Sequence, residues 1–295
     1  MAYDLTGLEV AVLGGDAREL ELISQLLALG ADLQIVGKSR GLNEKNIKVV
    51  ESLEELKSVN LTAVIAPMTG TDTDLKVKKT FNDLKVQLTE DFFASLRPGT
   101  IFFIGFAKPK IKEWCRKYQI QLVELAALDE VAILNAIPTA EGAIEIAIRE
   151  TPITLHNNNS FVLGLGRVGL TLARMLHDLG SNTYGVARKP KDLARAVELG
   201  FNPVDFANLA EQIAEADFIF NTVPTLILDR ELLEKVNSEA IIIDLASAPG
   251  GTEFEVAEEL EIKAELALGL PGKVAPKSAG KILSEIIPRV IVKEQ

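Results

Sequence analysis

The chain has 295 residues, 47% of them hydrophobic, and carries 42 acidic against 31 basic side chains, a formal net charge of −11. Its length and apolar content suffice for two domains with buried cores. The acidic balance argues against nucleic acid or an anionic membrane as the main partner, and no stretch is predicted to span a membrane. A single cysteine, Cys115, excludes an internal disulfide and a multi-cysteine metal site. With no signal-peptide pattern, these features predict a cytoplasmic protein.

Predicted strands and helices alternate through the first 135 residues, which is typical of a parallel sheet covered on both faces. Strands are predicted at 8–13, 33–36, 47–50, 63–66, 100–104 and 120–124, and helices at 19–29, 53–58, 91–96 and 110–118. The first strand runs into Gly14-Gly15-Asp16-Ala17-Arg18. This turn lacks the third glycine of a dinucleotide site, so we expect Asp16 and Arg18 to face a substrate instead.

A second polar turn, with Thr69 and Thr71, follows the strand at 63–66. Ligands of open α/β sheets lie outside the carboxyl ends of the strands, so this turn is expected to border the same cleft as Asp16. A helix-capping turn is the alternative interpretation.

The stretch 135–148 is predicted to contain a helix that begins at Pro138, since proline suits the first helical position. Thr139 would then lie in its first turn, and the helix dipole would favour Glu141 near its start. We interpret Glu141 as a structural residue at the helix start, with a catalytic role as the alternative. The polar stretch 151–159 marks the predicted boundary between a substrate-binding domain, 1–150, and a nucleotide-binding domain, 151–274.

The second domain opens with a glycine-rich turn between an apolar strand, 160–163, and a helix that begins near 170. In this context G-x-G-x-x-G predicts dinucleotide binding. Gly164 permits a tight turn, Gly166 lets a pyrophosphate approach the backbone, and Gly169 lets the helix close on the strand. The residues predicted to hold the phosphates are Gly164, Gly166, Arg167, Val168 and Gly169.

The next strand, 182–187, ends at Arg188 and Lys189, where an NAD site usually has a carboxylate. A cation there suits the 2′-phosphate of NADP, although a solvated turn is the alternative. Two later strands end in turns expected to border the nicotinamide. Their residues are Thr222, Val223 and Pro224, and Leu245, Ala246, Ser247 and Pro249.

The last predicted helix begins at Pro276 and is expected to pack back on the first domain. Lys277 would lie in its first turn, where the dipole disfavours a cation, which indicates an anion nearby; a solvent-facing lysine is the alternative. His156 and His177 lie far in sequence from the expected nicotinamide turns. They therefore disfavour hydroxyacid oxidation by an imidazole base, and their spacing predicts no metal site. The pattern thus predicts two Rossmann-like, doubly wound parallel-sheet domains with a cleft between them.

Five segments in this order resemble the family formed by the A subunits of dipicolinate synthase. They are Gly14–Arg18, Ile137–Gly142, Leu163–Gly169, Ile243–Thr252 and Gly269–Lys277. The resemblance implies oxidation of dihydrodipicolinate, from a branch of the lysine pathway, to the dipicolinate of bacterial spores. It also implies NADP as cofactor, the second, flavoprotein subunit of dipicolinate synthase as partner, and a location in the mother cell of a spore-forming bacterium.

For such a dicarboxylate we hypothesise that Arg18 and Lys277 bind the carboxylates, with Thr69, Thr71 and the helix start at Thr139 in support. Either Glu141 or Asp16 would accept the proton. Alternatives are another NADP-linked dehydrogenase on the 2-hydroxyacid dehydrogenase plan, and a regulatory subunit that binds NADP without catalysis. The chain could also form a homo-oligomer.

Overall fold

The computed structural model describes residues 3–37, 47–56, 60–81 and 84–294. The chain divides into two units, the first comprising Met1–Ala132 with Ala275–Gln295 and the second Ile133–Val274. This division falls inside one helix, whereas the sequence pattern predicts the boundary at 150. Of the predicted helix at 53–58, the structure shows a 3-10 turn at Glu54–Leu56; residues 57 and 58 lie outside the described residues.

The first unit is a parallel sheet with the Rossmann strand order. Its strands are β1 (Glu9–Val12), β2 (Asp32–Val36), β3 (Ile47–Val50), β4 (Ala63–Ile65), β5 (Ile101–Ile104) and β6 (Gln121–Glu124), in the order β3-β2-β1-β4-β5-β6. Its helices are α1 (Ala17–Ala28), α2 (Glu90–Ser95), α3 (Pro109–Lys117) and the C-terminal α11 (Pro276–Lys293). The order reverses between β1 and β4, which is where this fold places ligands.

The C-terminal helix packs on the first sheet, as predicted. Leu283, Ile287 and Ile291 of α11 join one core cluster with Leu22 and Leu26 of α1. A Cβ on Gly280 would lie 2.7 Å from the carbonyl oxygen of Arg18, so the glycine allows the two helices to approach closely. Because Gly280 meets Arg18 near the start of α1, both helices begin at the same edge of the sheet.

The second unit repeats the same topology. Its strands are β7 (Asn159–Leu163), β8 (Asn182–Ala187), β9 (Asn202–Asp205), β10 (Phe218–Asn221), β11 (Ile241–Asp244) and β12 (Lys263–Leu266), in the order β12-β11-β10-β7-β8-β9. Its helices are α4 (Asp129–Glu150), which begins in the first unit, α5 (Arg167–Asp178), α6 (Pro190–Glu198), α7 (Leu209–Gln212), α8 (Arg230–Leu233), α9 (Phe254–Glu259) and α10 (Leu270–Val274). The prediction of two doubly wound parallel sheets is confirmed.

Helix α4 differs from its prediction, because it begins at Asp129 and contains Pro138 in its interior. The proline removes one backbone donor, and the helix continues through it. By length and composition alone, α4 could cross a membrane. However, its small residues Ala140, Ala143 and Ala147 are fully buried in the core of the second unit, as in a core helix of an α/β unit.

Candidate functional site

The glycine turn of the second unit has the geometry of a phosphate-binding turn. Gly164 has φ +88°, and a Cβ there would lie 2.8 Å from both Thr222 Oγ1 and Val223 Cγ2. A Cβ on Gly169 would lie 1.8 Å from the carbonyl oxygen of Gly164, so only glycine lets α5 start this close to β7. Thr222 Oγ1 donates to the carbonyl oxygens of Leu163 (2.9 Å) and Gly164 (3.1 Å), which fixes the turn.

The start of α5 is open to an anion. Gly166 is the N-cap residue and provides no side-chain cap, and a Cβ built on it meets no atom within 4 Å. Arg167 and Val168 form the first turn of α5 directly after Gly166, at the positive end of the helix dipole. These features fit the pyrophosphate of a dinucleotide.

Arg188 and Lys189 follow β8 at the same edge of the sheet, and both are exposed. Neither forms an ion pair with a residue that the structure describes. The nearest carboxylate along the chain, Asp192, lies in the first turn of α6. The charge at the end of this strand is therefore cationic, which is the arrangement that suits a ribose phosphate.

The turns after β10 and β11 are held by two buried residues that sequence reasoning missed, Asn221 and Asp244. Asn221 Nδ2 donates to Asp244 Oδ2 at 3.0 Å, and Asn221 Oδ1 accepts from the amide of Val223. Asp244 also accepts from the amides of Ala246 and Gly251 and from Thr252 Oγ1. In the sequence, the signal for both residues is a polar side chain at the last position of an otherwise apolar strand.

This network places the predicted nicotinamide turns side by side. Thr222, Val223 and Pro224 follow β10, Leu245, Ala246, Ser247 and Pro249 follow β11, and the two strands are neighbours in register. A Cβ on Gly251 would lie 2.5 Å from the carbonyl oxygen of Thr225. The two turns are thus in direct contact, and Ser247 and Pro249 are exposed at the edge.

In the first unit, Asp16 and Arg18 are brought together and bind each other. Asp16 is the N-cap of α1, and its oxygens accept from Arg18 Nε at 3.0 Å and Nη2 at 2.8 Å. Burial opposes ionisation of Asp16, but the hydrogen bonds from Arg18 outweigh it and lower the pKa of the carboxyl. The guanidinium is likewise buried, and its bonds to Asp16 raise the pKa of Arg18.

Glu19 completes this arrangement, and sequence reasoning gave it no role. Its side chain is 1% exposed and accepts from the amides of Asp16 (2.8 Å) and Met68 (2.9 Å). Burial raises the pKa of Glu19. The spacing Asp16-x-x-Glu19 is that of a capping box, which was the signal in the sequence. Because the amide of Asp16 is bound to Glu19, the start of α1 is less suited to binding an anion than the start of α5.

Thr69 and Thr71 follow β4, beside the Asp16 turn at the point where the strand order reverses. The hydroxyl oxygens of both threonines are buried and find no hydrogen-bond partner among the described residues. Buried hydroxyls usually have a partner, so these two groups stand out as unsatisfied polar atoms at this edge of the sheet.

The remaining predicted residues lie on two helices. Lys277 is exposed in the first turn of α11, one turn before Gly280, at the edge of the sheet where Arg18 lies. Glu141 is exposed on α4, and the hydroxyl of Thr139 donates to the carbonyl of Asn135 at 2.7 Å. The predicted helix start at Pro138 and Thr139 is wrong, because these residues lie in the middle of α4.

Histidine and cysteine lie away from these turns. His156 Nδ1 lies 3.3 Å from the carbonyl oxygen of Leu179, and the His177 ring packs on Phe201. Both contacts are at the amino edge of the second sheet, opposite the glycine turn. Cys115 is buried in the first core, and burial raises its pKa to about 12. Among the described residues no group of three or more metal-ligating side chains was found.

Two family models match the chain. Residues 9–126 match the N-terminal domain of the dipicolinate synthase A subunit, and residues 140–266 match the NAD-binding domain of D-isomer specific 2-hydroxyacid dehydrogenases. The second unit is therefore a nicotinamide dinucleotide-binding domain, which agrees with the geometry of its glycine turn.

Relatives of the same kind match over the full length. The dipicolinate synthase A subunit of Bacillus subtilis is 38% identical over 99% of this chain and 98% of its own length. The crystal structure of the A subunit from Bacillus halodurans has a TM-score of 0.94 at 36% identity, covering 98% of this chain and 99% of that one. The crystal structure of the Bacillus subtilis protein gives 0.93 at 36% identity, covering 100% and 99%.

Proposed function

This chain belongs to the family of dipicolinate synthase A subunits, and on that premise we propose that it oxidises dihydrodipicolinate to dipicolinate with NADP as acceptor. The observation that carries the proposal is the 38% identity to such a protein over 99% of the chain. The dehydrogenase-type domain agrees with an oxidoreductase. The family name also implies a second subunit, which we propose to be a flavoprotein, with the reaction in the mother-cell cytoplasm of a spore former.

The reaction removes a hydride and a proton from the dihydro ring, and aromatisation supplies the driving force. When bound, the nicotinamide supplies the hydride acceptor, and the turns after β10 and β11 are proposed to hold it. Arg188 and Lys189 at the end of β8 favour NADP over NAD, since both cations are exposed and unpaired among the described residues.

We assign the dicarboxylate to the first unit, with Arg18 and Lys277 as the cations and Thr69 and Thr71 as hydroxyl donors. Lys277 is exposed, whereas Arg18 is bound by Asp16 and must share its donors with the substrate. Of the two candidate bases, Asp16 is the weaker because its pKa is lowered by Arg18. This favours Glu141 as the group that accepts the proton.

The test combines purified protein, NADP and freshly generated dihydrodipicolinate, with and without a flavoprotein partner. We expect NADPH absorbance to rise in step with dipicolinate. A signal that needs the partner would make this chain one half of a shared enzyme. NADP binding without oxidation in either case would contradict the proposal and favour a regulatory role.

The cofactor assignment has its own test in the variant Arg188→Ala/Lys189→Ala. We expect its Kd for NADPH to rise at least about tenfold, since two charge-assisted contacts to a phosphate are lost, while the Kd for NADH stays unchanged. Arg195→Ala is the matched control, because Arg195 is an exposed cation on α6 paired with Glu198. Equal effects on NADPH and NADH would contradict the NADP preference.

A further inference from the structure

Glu19 is a buried carboxyl that joins two turns from different parts of the chain. One oxygen accepts from the amide of Asp16, in the turn after β1, and the other accepts from the amide of Met68, in the turn after β4. These strands are neighbours in the sheet, with Val12 opposite Ile65. The carboxyl therefore bridges the point where the strand order reverses, which is the ligand-binding point of this fold.

Gly15 provides the space for this bridge. Its φ is +150°, and a Cβ on it would lie 2.4 Å from Glu19 Cβ and 2.6 Å from Glu19 Oε2. The second glycine of the Gly14-Gly15-Asp16 turn thus admits a carboxyl of the protein, whereas Gly166 in the second unit borders open space. The same type of fold uses its glycine turn differently in the two units.

The Met68 side of the bridge is equally constrained. A Cβ on Gly105 would lie 1.9 Å from the carbonyl oxygen of Met68, so the turn after β5 closes against the turn after β4. Thr69 follows Met68 directly, and its buried hydroxyl has no partner among the described residues. The position of this hydroxyl therefore depends on where Met68 is held.

The Asp16 side carries Arg18. Glu19 fixes the backbone of Asp16, and the Asp16 carboxylate holds the guanidinium through two hydrogen bonds. The groups that face Glu19 are Asp16, the N-cap of α1, Arg18 in its first turn, and the Met68 amide from the neighbouring turn. One carboxyl thus determines the position of both a cation and a hydroxyl.

We propose that Glu19 is a positioning residue that holds Arg18 and Thr69 at the separation needed to bind the dicarboxylate. This inference rests on the proposed function, since it takes Arg18 and Thr69 as contacts of that substrate. Glu19 itself is buried beneath Gly15 and is not assigned a contact with the substrate.

The test is Glu19→Gln. The amide keeps the shape of the side chain but presents an NH2 group to one of the two backbone donors, so one of the two hydrogen bonds is lost. We expect the Kd for dipicolinate and the KM for dihydrodipicolinate to rise about tenfold or more, because misplaced binding groups weaken the complex. The kcat should change by less than about threefold, and the Kd for NADPH should be unchanged.

Glu113→Gln is the matched control, since Glu113 is an exposed carboxylate on α3 of the same unit. If Glu19→Gln binds dipicolinate like this control, the positioning role is wrong and the proposed function is unaffected. If the wild-type protein binds dipicolinate without oxidising dihydrodipicolinate, the proposed function fails, and the comparison of Kd values still decides the role of Glu19.

Hydrogen exchange of the wild-type protein tests the same inference if the variant does not fold. The amides of Asp16 and Met68 bind one carboxyl, so dipicolinate should slow the exchange of both together. Slower exchange at only one of them, or at neither, would contradict the bridge.

Discussion

Gly166 and Gly169 of the phosphate-binding turn should respond to alanine in different ways. The backbone of Gly166 has φ −81°, which alanine also adopts, and its Cβ would enter open space. A Cβ on Gly169 would lie 1.8 Å from the carbonyl oxygen of Gly164, well inside the 3.0 Å that real Cβ contacts respect. Gly166→Ala therefore tests whether a ligand occupies the open space beside this residue, and Gly169→Ala tests the close packing of α5 on β7.

The structure sets the expected magnitudes. Gly166→Ala should cost less than about 1 kcal/mol, the loss of a favourable N-cap residue. Gly169→Ala must push α5 away from β7. We therefore expect it to lower the free energy of unfolding by about 3 kcal/mol, the upper end of the range for overpacked cores. At about 2–4 °C per kcal/mol, the Tm should fall by about 6–12 °C for Gly169→Ala and by less than about 4 °C for Gly166→Ala.

Cofactor binding should separate the variants further. Gly166→Ala should weaken NADPH binding at least about tenfold, because the methyl group occupies the space that the pyrophosphate needs. Thermal unfolding and a fluorescence titration with NADPH measure the two effects on the same samples. If Gly166→Ala kept the wild-type affinity for NADPH, the pyrophosphate would not lie against this residue and the assignment of the turn would be refuted.

Three further predictions concern buried residues. Asp244→Asn should lower the free energy of unfolding by about 1–3 kcal/mol, because an NH2 group would face buried donors, and it should weaken NADPH binding. Urea unfolding measures the loss against the exposed control Asp178→Asn, and equal stability of the two variants would contradict the network. Ile287→Ala should lower the free energy of unfolding by about 2–5 kcal/mol, because it leaves a cavity in the first core. Val292→Ala, at a half-exposed position of the same helix, is the control, and a loss below about 1 kcal/mol for Ile287→Ala would refute the packing of α11. With its pKa raised to about 12, Cys115 should stay a thiol at pH 8; iodoacetamide should therefore label it only after unfolding, and rapid labelling of the native protein would contradict its burial.

The sequence was most informative where local chemistry decides the structure. The apolar runs of the central strands and the spacing of Gly164, Gly166 and Gly169 reflect backbone geometry and burial on both faces of a sheet. Arg188 and Lys189 could likewise be placed at the end of β8 by counting along the chain. Two strands were missed, β9 and β12, because edge strands need no apolar run; β9 contains Pro203, and Lys263 and Glu265 lie in β12.

Only the tertiary structure decided which distant segments of the chain come into contact. The sequence offers Arg18 as a free cation, and the fold pairs it with Asp16. The local pattern puts Glu19 at the start of a helix, whereas its carboxyl reaches Met68, 49 residues away. Proline favours a helix start locally, yet packing of the small-residue face of α4 in the core of the second unit carries the helix through Pro138. In each case burial and long-range hydrogen bonds outweigh local preference, since a buried polar group must find its partner wherever the fold brings one.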